Sequence, residues 1–343
     1  SYSVTGVQTC ALPILFILLL LFLATSCQKD DLINNFDSDI SFAVSNHLLN
    51  GKHINCMDIY EDKYVAIGSG RELYLLEGSN QDIYTLDYDI YSLAIASDKS
   101  IWIGTSGGGL GHLSDKKLTW YNNANAGLPR DYVRHVEISP GGDVWFTSCA
   151  FRMGGLGIFD GKKFEFLTPE NSPLNQNIIE DLEIDADGTV YIATTGTVGR
   201  TNIYRITNGL WECLGDEEGT FYWIFSFTVS PSGLIFLVED FSLSSTMISN
   251  KVYRLKDKEW ELITPDDIPL ISFFSRIKAD KRNYCWLAGY EQESAFLRVF
   301  TGKEWIISPG DLFPDNFITT IEVDGNNNLW IGTYYDGVFI LNQ

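Results

Sequence analysis

The sequence predicts an all-β chain, a seven-bladed β-propeller of four-stranded blades closed by an N-terminal strand that completes the last blade. Three observations carry this. An aromatic-centred segment recurs as SIWIGTSGGGL (100–110), DVWFTS (143–148), TVYIATT (189–195), LIFLVED (234–240), YCWLAG (284–289) and LWIGTYYDGV (329–338), with YVAIGSG (64–70) a degenerate copy. From Ala66 through Trp102, Trp145, Tyr191, Phe236, Trp286 and Trp330 the intervals are 36, 43, 46, 45, 50 and 44 residues, the period of a propeller blade. No helical period interrupts the copies, and the last copy ends after its third strand while a spare strand precedes the first.

Composition agrees. Hydrophobic residues are 45% and charged residues 20%, which is globular, and 21 Phe, 17 Tyr and 9 Trp beside 30 Gly favour short strands joined by tight turns. The 24 Lys+Arg against 45 Asp+Glu leave a net charge of −21, which repels nucleic acid and excludes it as a partner.

Taken in order, the chain starts with a segment foreign to the fold. Residue 1 is Ser, the three Met residues (Met57, Met153, Met247) lie far inside, and residues 4–14 resemble the read-through of a sequencing adapter. Residues 1–14 are therefore set aside. Residues 15–27 read as the apolar h-region of a signal peptide, too short to span a bilayer comfortably, ending in Ala24-Thr25-Ser26-Cys27. That tetrapeptide resembles a bacterial lipobox, with Cys27 the lipidated residue and an outer-membrane lipid anchor as the implied partner. Residues 28–37 form an export signal and tether, because Lys29-Asp30-Asp31 resembles the signal that sends Bacteroidetes lipoproteins to the cell surface. The propeller is expected over 38–343. Its closing strand is expected at Ile40–Val44, and Asn46–Asn50 reads as the loop that follows a fourth strand.

Each blade then repeats one order. A first strand with apolar positions 1, 4 and 6, such as VRHVEI (133–138) or ITTIEV (318–323), leads into a Gly or Asn turn. The aromatic strand follows, then a third strand such as GLGIF or KVYRL, then a tight turn and a fourth strand. Cys56, Cys149, Cys213 and Cys285 are scattered without metal-ligand spacing, and the four His are unpaired, so no metal and no cofactor are expected.

WIGTSGGGL and LWIGTYYDGV, with their preceding Asp-Gly-Asn type turn and Leu-Pro type loops, resemble the two-component regulator propeller repeat. The resemblance spans about residues 38–343. It implies a propeller of the kind that builds periplasmic sensor regions in Bacteroidetes, often for glycans. No immunoglobulin-like adaptor, transmembrane helix or kinase follows, so transmembrane signalling is not implied.

The recurrent Trp102, Trp145, Trp286 and Trp330 are expected to fill blade interfaces rather than hold sugars. Gly104, Gly332 and Gly107-Gly108-Gly109 are expected at turns and close approaches. Fifth positions of first strands (Asp58, Glu137, Glu183, Lys278, Glu322) should line a solvated channel tied by Arg276 and Lys278. Long loops between second and third strands should carry Arg152, Met153, Arg200, Glu239, Asp240, Glu291 and Glu293. The candidate ligand-binding set at the mouth is Arg134, His135, Asp181, Trp223, Arg276, Tyr334 and Tyr335: aromatic faces beside polar anchors, suited to a glycan, peptide or protein. The expected function is non-catalytic binding by a monomeric, outer-membrane, lipid-anchored protein facing the exterior. The alternative is a propeller hydrolase or lyase, lactonase-like or polysaccharide-degrading, for which His135 beside Asp181 is the only acid–base pair on offer.

Overall fold

The computed structural model describes residues 40–150, 153–195, 201–215, 221, 223–244, 247–265, 273–291, 294–309, 312–313 and 317–343. Cys27 and the export signal, with Arg152, Arg200 and Glu293, lie outside the described residues.

The strands form seven antiparallel sheets of four. Strand β1 (Val44–Leu48) comes first in the chain and belongs to the last blade. Blade 1 is β2 (Cys56–Tyr60), β3 (Tyr64–Ser69), β4 (Glu72–Glu77) and β5 (Asn80–Thr85). Blade 2 is β6 (Ile90–Ile95), β7 (Ile101–Thr105), β8 (Leu110–Ser114) and β9 (Lys117–Tyr121), followed by a single helical turn, α1 (Asn123–Ala126). Blade 3 is β10 (Val136–Ile138), β11 (Val144–Ala150), β12 (Met153–Phe159) and β13 (Phe164–Leu167). Blade 4 is β14 (Ile179–Ile184), β15 (Val190–Thr195), β16 (Thr201–Thr207) and β17 (Leu210–Cys213). Blade 5 is β18 (Ile224–Val229), β19 (Ile235–Ser244), β20 (Met247–Lys256) and β21 (Glu259–Leu262). Blade 6 is β22 (Phe273–Ala279), β23 (Cys285–Glu291), β24 (Ser294–Phe300) and β25 (Trp305–Ile307). Blade 7 is β26 (Ile318–Val323), β27 (Leu329–Thr333), β28 (Val338–Leu341) and β1.

The first strands β2, β6, β10, β14, β18, β22 and β26 pack side by side in that order, and β26 meets β2 again, so the ring is closed around a channel. Every first strand runs from a mouth face, which carries the fourth-to-first and second-to-third connections, to a turn face. The ring is sealed by β1, paired antiparallel with β28 through Val44↔Leu341, Asn46↔Ile340, His47↔Phe339 and Leu48↔Val338. This corrects the expected position of the closing strand: Asn46, His47 and Leu48 are strand rather than loop. The later register wins because it packs Leu48 into the blade 7/blade 1 core with Ile54, Met57 and Val338. Phe42 instead meets Trp286 edge-on at 5.9 Å.

The long second-to-third loops are likewise corrected. Met153, Glu239 and Glu291 are strand residues, and β19 and β20 extend to ten residues each. Alternating pairing through Asp240↔Asn250 and Ser242↔Ile248 satisfies the backbone better than an open loop.

Blades meet through the recurrent aromatics. Trp102 packs with Val133, Val136 and Val144 of blade 3, Trp145 with Leu182 and Val190 of blade 4, and Trp330 with Ile54 and Met57 of blade 1. Glycine two positions after the aromatic allows the next blade in close. A Cβ on Gly104 would lie 2.7 Å from the Val133 carbonyl oxygen, and one on Gly332 would lie 2.7 Å from a methyl of Ile54.

Blades 2 to 7 share one turn between first and second strands. Ala96, Ser139, Asp185, Ser230, Asp280 and Asp324 each donate a backbone N–H to the carbonyl four residues on and accept one from three residues on. The residue at that third place adopts positive φ, which explains why Gly or Asn occupies it in five of the six turns (Gly142, Gly188, Gly233, Asn283, Asn327) and Lys99 in the other. Where the turn begins with Asp, its carboxylate also accepts from the aromatic six residues on. Asp280 Oδ2 takes the Trp286 indole N–H at 3.1 Å, Asp324 Oδ2 that of Trp330 at 3.2 Å, and Asp185 Oδ2 the Tyr191 hydroxyl at 3.3 Å. In blade 3 the turn begins with Ser139, and the buried Trp145 Nε1 has no partner.

Candidate functional site

A regular strand shows alternate residues to alternate sides. In blades 2, 4, 5 and 7 the first strand breaks this with a register shift after its first residue, at Ile90/Ser92, Ile179/Asp181, Ile224/Ser226 and Ile318/Thr320, and in blade 6 after its second, at Phe274/Arg276. A bulge of this kind turns two consecutive side chains toward the same side. Positions 2 and 3 therefore both reach the channel, and a cavity of about 820 Å³ at the mouth face is lined in layers. His53, Tyr132, Trp223 and Phe317 stand at the lip, Tyr91, Arg134, Glu180 and Phe225 below them, then His135, Asp181 and Arg276, and at the floor Glu137, Glu183, Lys278 and Glu322.

Of the seven predicted ligand-binding residues, Arg134, His135, Asp181, Trp223, Arg276 and Tyr334 line this cavity. Tyr335 does not line it but meets Tyr334 edge-on at 4.7 Å, and Tyr334 rests on His53 at 4.1 Å. Trp223, Tyr334 and Tyr335 are 47%, 43% and 64% exposed, unlike Trp102 and Trp286 at 5% and 0%. Sequence reasoning missed Tyr91, Tyr132, Phe225, His53 and Phe317. Their signal was positional: each stands at or just before the start of a first strand, where the six-residue pattern reads only apolar positions 1, 4 and 6.

The polar groups divide into those consumed by the fold and those that are not. Parallel neighbours at the ring centre are joined by side chains. Asp181 Oδ2 accepts the Phe227 N–H at 2.9 Å, Glu183 Oε2 the Val229 N–H at 2.6 Å, Asp58 Oδ2 the Ile95 N–H at 2.6 Å, and Ser92 Oγ the Val136 N–H at 2.7 Å. Asp181 is further held by the Leu182 N–H at 3.0 Å and lies 3.4 Å from His135 Nδ1. Burial lowers the His135 pKa to about 3, with Arg134 and Arg276 adding to the effect, so the ring is neutral. Burial raises Asp181 to about 6, against the pull of the two N–H groups.

At the floor, Lys278 Nζ lies 3.1 Å from Glu322 and 3.7 Å from Glu183. Burial raises both acids to about 7 and Glu137 well above its ordinary value, while Lys278 opposes all three. Burial pulls Lys278 down, but Glu322, Glu183 and Glu137 outweigh it and hold the ammonium charged. The tie predicted for Lys278 is present; Arg276 takes no part in it. A second cavity of about 1060 Å³ opens on the turn face and shares Lys278 and Glu322 with the first, so the Lys278 bridge divides the channel. Among the described residues no group of three His, Cys, Asp or Glu is arranged to hold a metal ion, and no helix is long and apolar enough to cross a membrane.

Fold and channel define the chain as a seven-bladed β-propeller protein. The family model of the two component regulator propeller matches residues 312–335, in the last blade. No curated protein matches the chain. Among solved structures it is similar to YCF48 bound to D1 peptide (15% identity, TM-score 0.64, covering 87% of this chain and 95% of that one). It is similar to streptogramin B lyase (16%, TM-score 0.63, 86% and 95%). The extracellular domain of the putative hybrid two component system BT4673 from B. thetaiotaomicron matches at 14% identity and TM-score 0.62, over 88% of this chain and 39% of that one. At such identities the likeness shows the fold alone.

Proposed function

We propose that the chain is a non-catalytic, surface-anchored lipoprotein whose mouth cavity binds a glycan, peptide or protein partner. The observation that carries this reading is the convergence of exposed aromatics and polar side chains from several blades on one cavity of about 820 Å³, a size suited to a ligand. The pair best placed for acid–base work argues against turnover: His135 stays neutral down to about pH 3, and both Asp181 oxygens are held by backbone N–H groups. Similar folds carry a peptide in one case and a lyase activity in another, so the fold leaves both open. Trp223→Ala should abolish capture of ligand on glycan and peptide arrays while the melting temperature holds. Turnover of a lactone or polysaccharide that vanishes with His135→Ala would replace binding with catalysis.

Anchoring rests on Ala24-Thr25-Ser26-Cys27, and exposure to the exterior on Lys29-Asp30-Asp31. With a native start restored, the protein should enter the detergent phase and Cys27→Ala should not. Protease added to intact cells should cleave the wild type and spare a variant with Ala at 29–31; equal cleavage of both sinks the surface signal.

A further inference from the structure

Binding at the mouth leaves the chemistry of the ligand open, and the cations of the cavity narrow it; the inference rests on that reading. Three cations line the cavity, and two are neutralised by the fold. Arg134 Nη1 lies 3.5 Å from Glu180, and Lys278 sits between Glu183 and Glu322. Arg276 is different. Its Nη1 donates to its neighbour's carbonyl, Ser275 O, at 2.6 Å, and among the described residues no carboxylate oxygen lies within 4 Å of it. Asp181, the acid whose charge acts most on Arg276, is held by the N–H groups of Leu182 and Phe227. In a chain with 45 acidic residues, an internal guanidinium that among the described residues has no carboxylate within ion-pair distance is informative.

The geometry of that guanidinium is that of a receptor. It stands over the Phe225 ring, 5.6 Å from the centroid, and the N–H groups along the edge of its planar fork can donate to an in-plane acceptor. Burial opposes its charge, so a bound anion would relieve a cost the free protein carries. A fork of parallel N–H groups matches a carboxylate better than any other common group. Above it stand the exposed flat faces of Trp223 and Tyr334. Around it are groups that both donate and accept: the hydroxyls of Tyr91, Tyr132 and Thr320, and neutral His135. Such groups pair with ring hydroxyls, of which a peptide end offers few.

We propose that the mouth takes a sugar acid, its carboxylate held by Arg276 and its ring face laid on Trp223 and Tyr334. Lys278 and its two glutamates floor the cavity, so the acid enters as the end of a short chain and does not thread the channel.

The test is calorimetric titration of the full chain with glucuronate and galacturonate monosaccharides and short oligosaccharides. Their neutral hexose counterparts and peptides with free or amidated C-termini serve as controls. A sugar acid should bind at least tenfold more tightly than its neutral counterpart. Arg276→Gln should erase that preference with the melting temperature unchanged, and Arg276→Lys, which keeps the charge and loses the fork, should restore part of it. If Arg276→Gln fails to fold, Arg276→Lys decides. Neutral sugars binding as tightly as acids, with binding still lost in Trp223→Ala, would overturn the carboxylate inference and leave the mouth as a binding site. A peptide acid binding more tightly than every sugar acid would overturn the sugar. Absence of binding by all these ligands would overturn this inference, and silence on wider arrays would remove the binding reading as well.

Discussion

Substituting Ser139 by Asp should stabilise this protein, although it places a charge beside an aromatic in an already acidic chain. Three blades of the one molecule supply the comparison. Ser139, Asp280 and Asp324 begin turns with the same backbone hydrogen bonds, and each is followed six residues on by Trp. In blades 6 and 7 the indole N–H is received by the Asp at 3.1 and 3.2 Å; in blade 3 the serine is too short and Trp145 Nε1 is buried without a partner. Such an orphaned donor costs about 1–3 kcal/mol, and a bond to a charged acceptor recovers about as much. Desolvating the new carboxylate consumes part of this, so the net gain is about 1–2 kcal/mol. Asp also keeps the bond that Ser139 Oγ now accepts from the Asp143 N–H at 3.1 Å, as Asp324 does from Asn328 at 2.8 Å. For a unit of roughly 300 residues, an unfolding entropy of about 2.1 cal/mol/K per residue converts that gain into about 2–3 °C. The assay is calorimetry on a double-mutant cycle with Trp145→Phe, which keeps the ring and removes the donor. The gain should vanish in the Phe background. An equal gain in both backgrounds, or none in either, would refute the account.

Glu183→Gln should stabilise the protein at pH 7.5 more than at pH 5. The folded pKa of about 7 lies above the ordinary 4.5, so ionising Glu183 costs stability as pH rises from near 4.5 through 7. With 18% of the side chain reaching the channel lumen, the effect in urea melts is about 1–3 kcal/mol. Lys278→Met should show the opposite dependence, destabilising most above pH 7, where Glu183 and Glu322 lose the cation they share. Deleting residues 38–49 removes β1 and bares the β28 edge, so melting should broaden and the chain should associate, as light scattering would show. Trp286→Ala should cost about 3–5 kcal/mol, as expected for a fully buried Trp, whereas Trp223→Ala should leave the melting temperature within a degree. Equal losses would place Trp223 in the core.

The blades were legible because each must bury the same faces: Trp102, Trp145 and Trp330 recur where the next blade packs, and Gly104 and Gly332 where it comes close. The closing strand was misplaced because Ile40, Phe42 and Val44 alternate as well as the residues after them, and only pairing with β28 selects between the registers. The second-to-third connections were misjudged because nothing in the mixed polar and apolar run after Val238 marks where pairing stops. At the mouth, Arg134, His135 and Arg276 were readable as polar residues on first strands. Tyr91 and Phe225 were not, because their exposure follows from bulges that periodicity cannot register. Neither was the difference between Asp181, held by the next blade, and Arg276, which among the described residues has no carboxylate within ion-pair distance, since both read simply as charged third positions.

The closure of the ring has a mechanical side. Ser41 and Gln343 lie together, joined through the Gln343 side chain, at the turn face, and β1 runs from there toward the mouth. A tether attached at Ile40 would pull from the face opposite the mouth cavity, along the axis of β1. A load between that tether and a ligand held at the mouth would stretch the hydrogen bonds between β1 and β28 together, in shear, rather than peeling them one after another. The strand that completes the last blade thus doubles as a clasp, whose bonds must fail together before the ring can open.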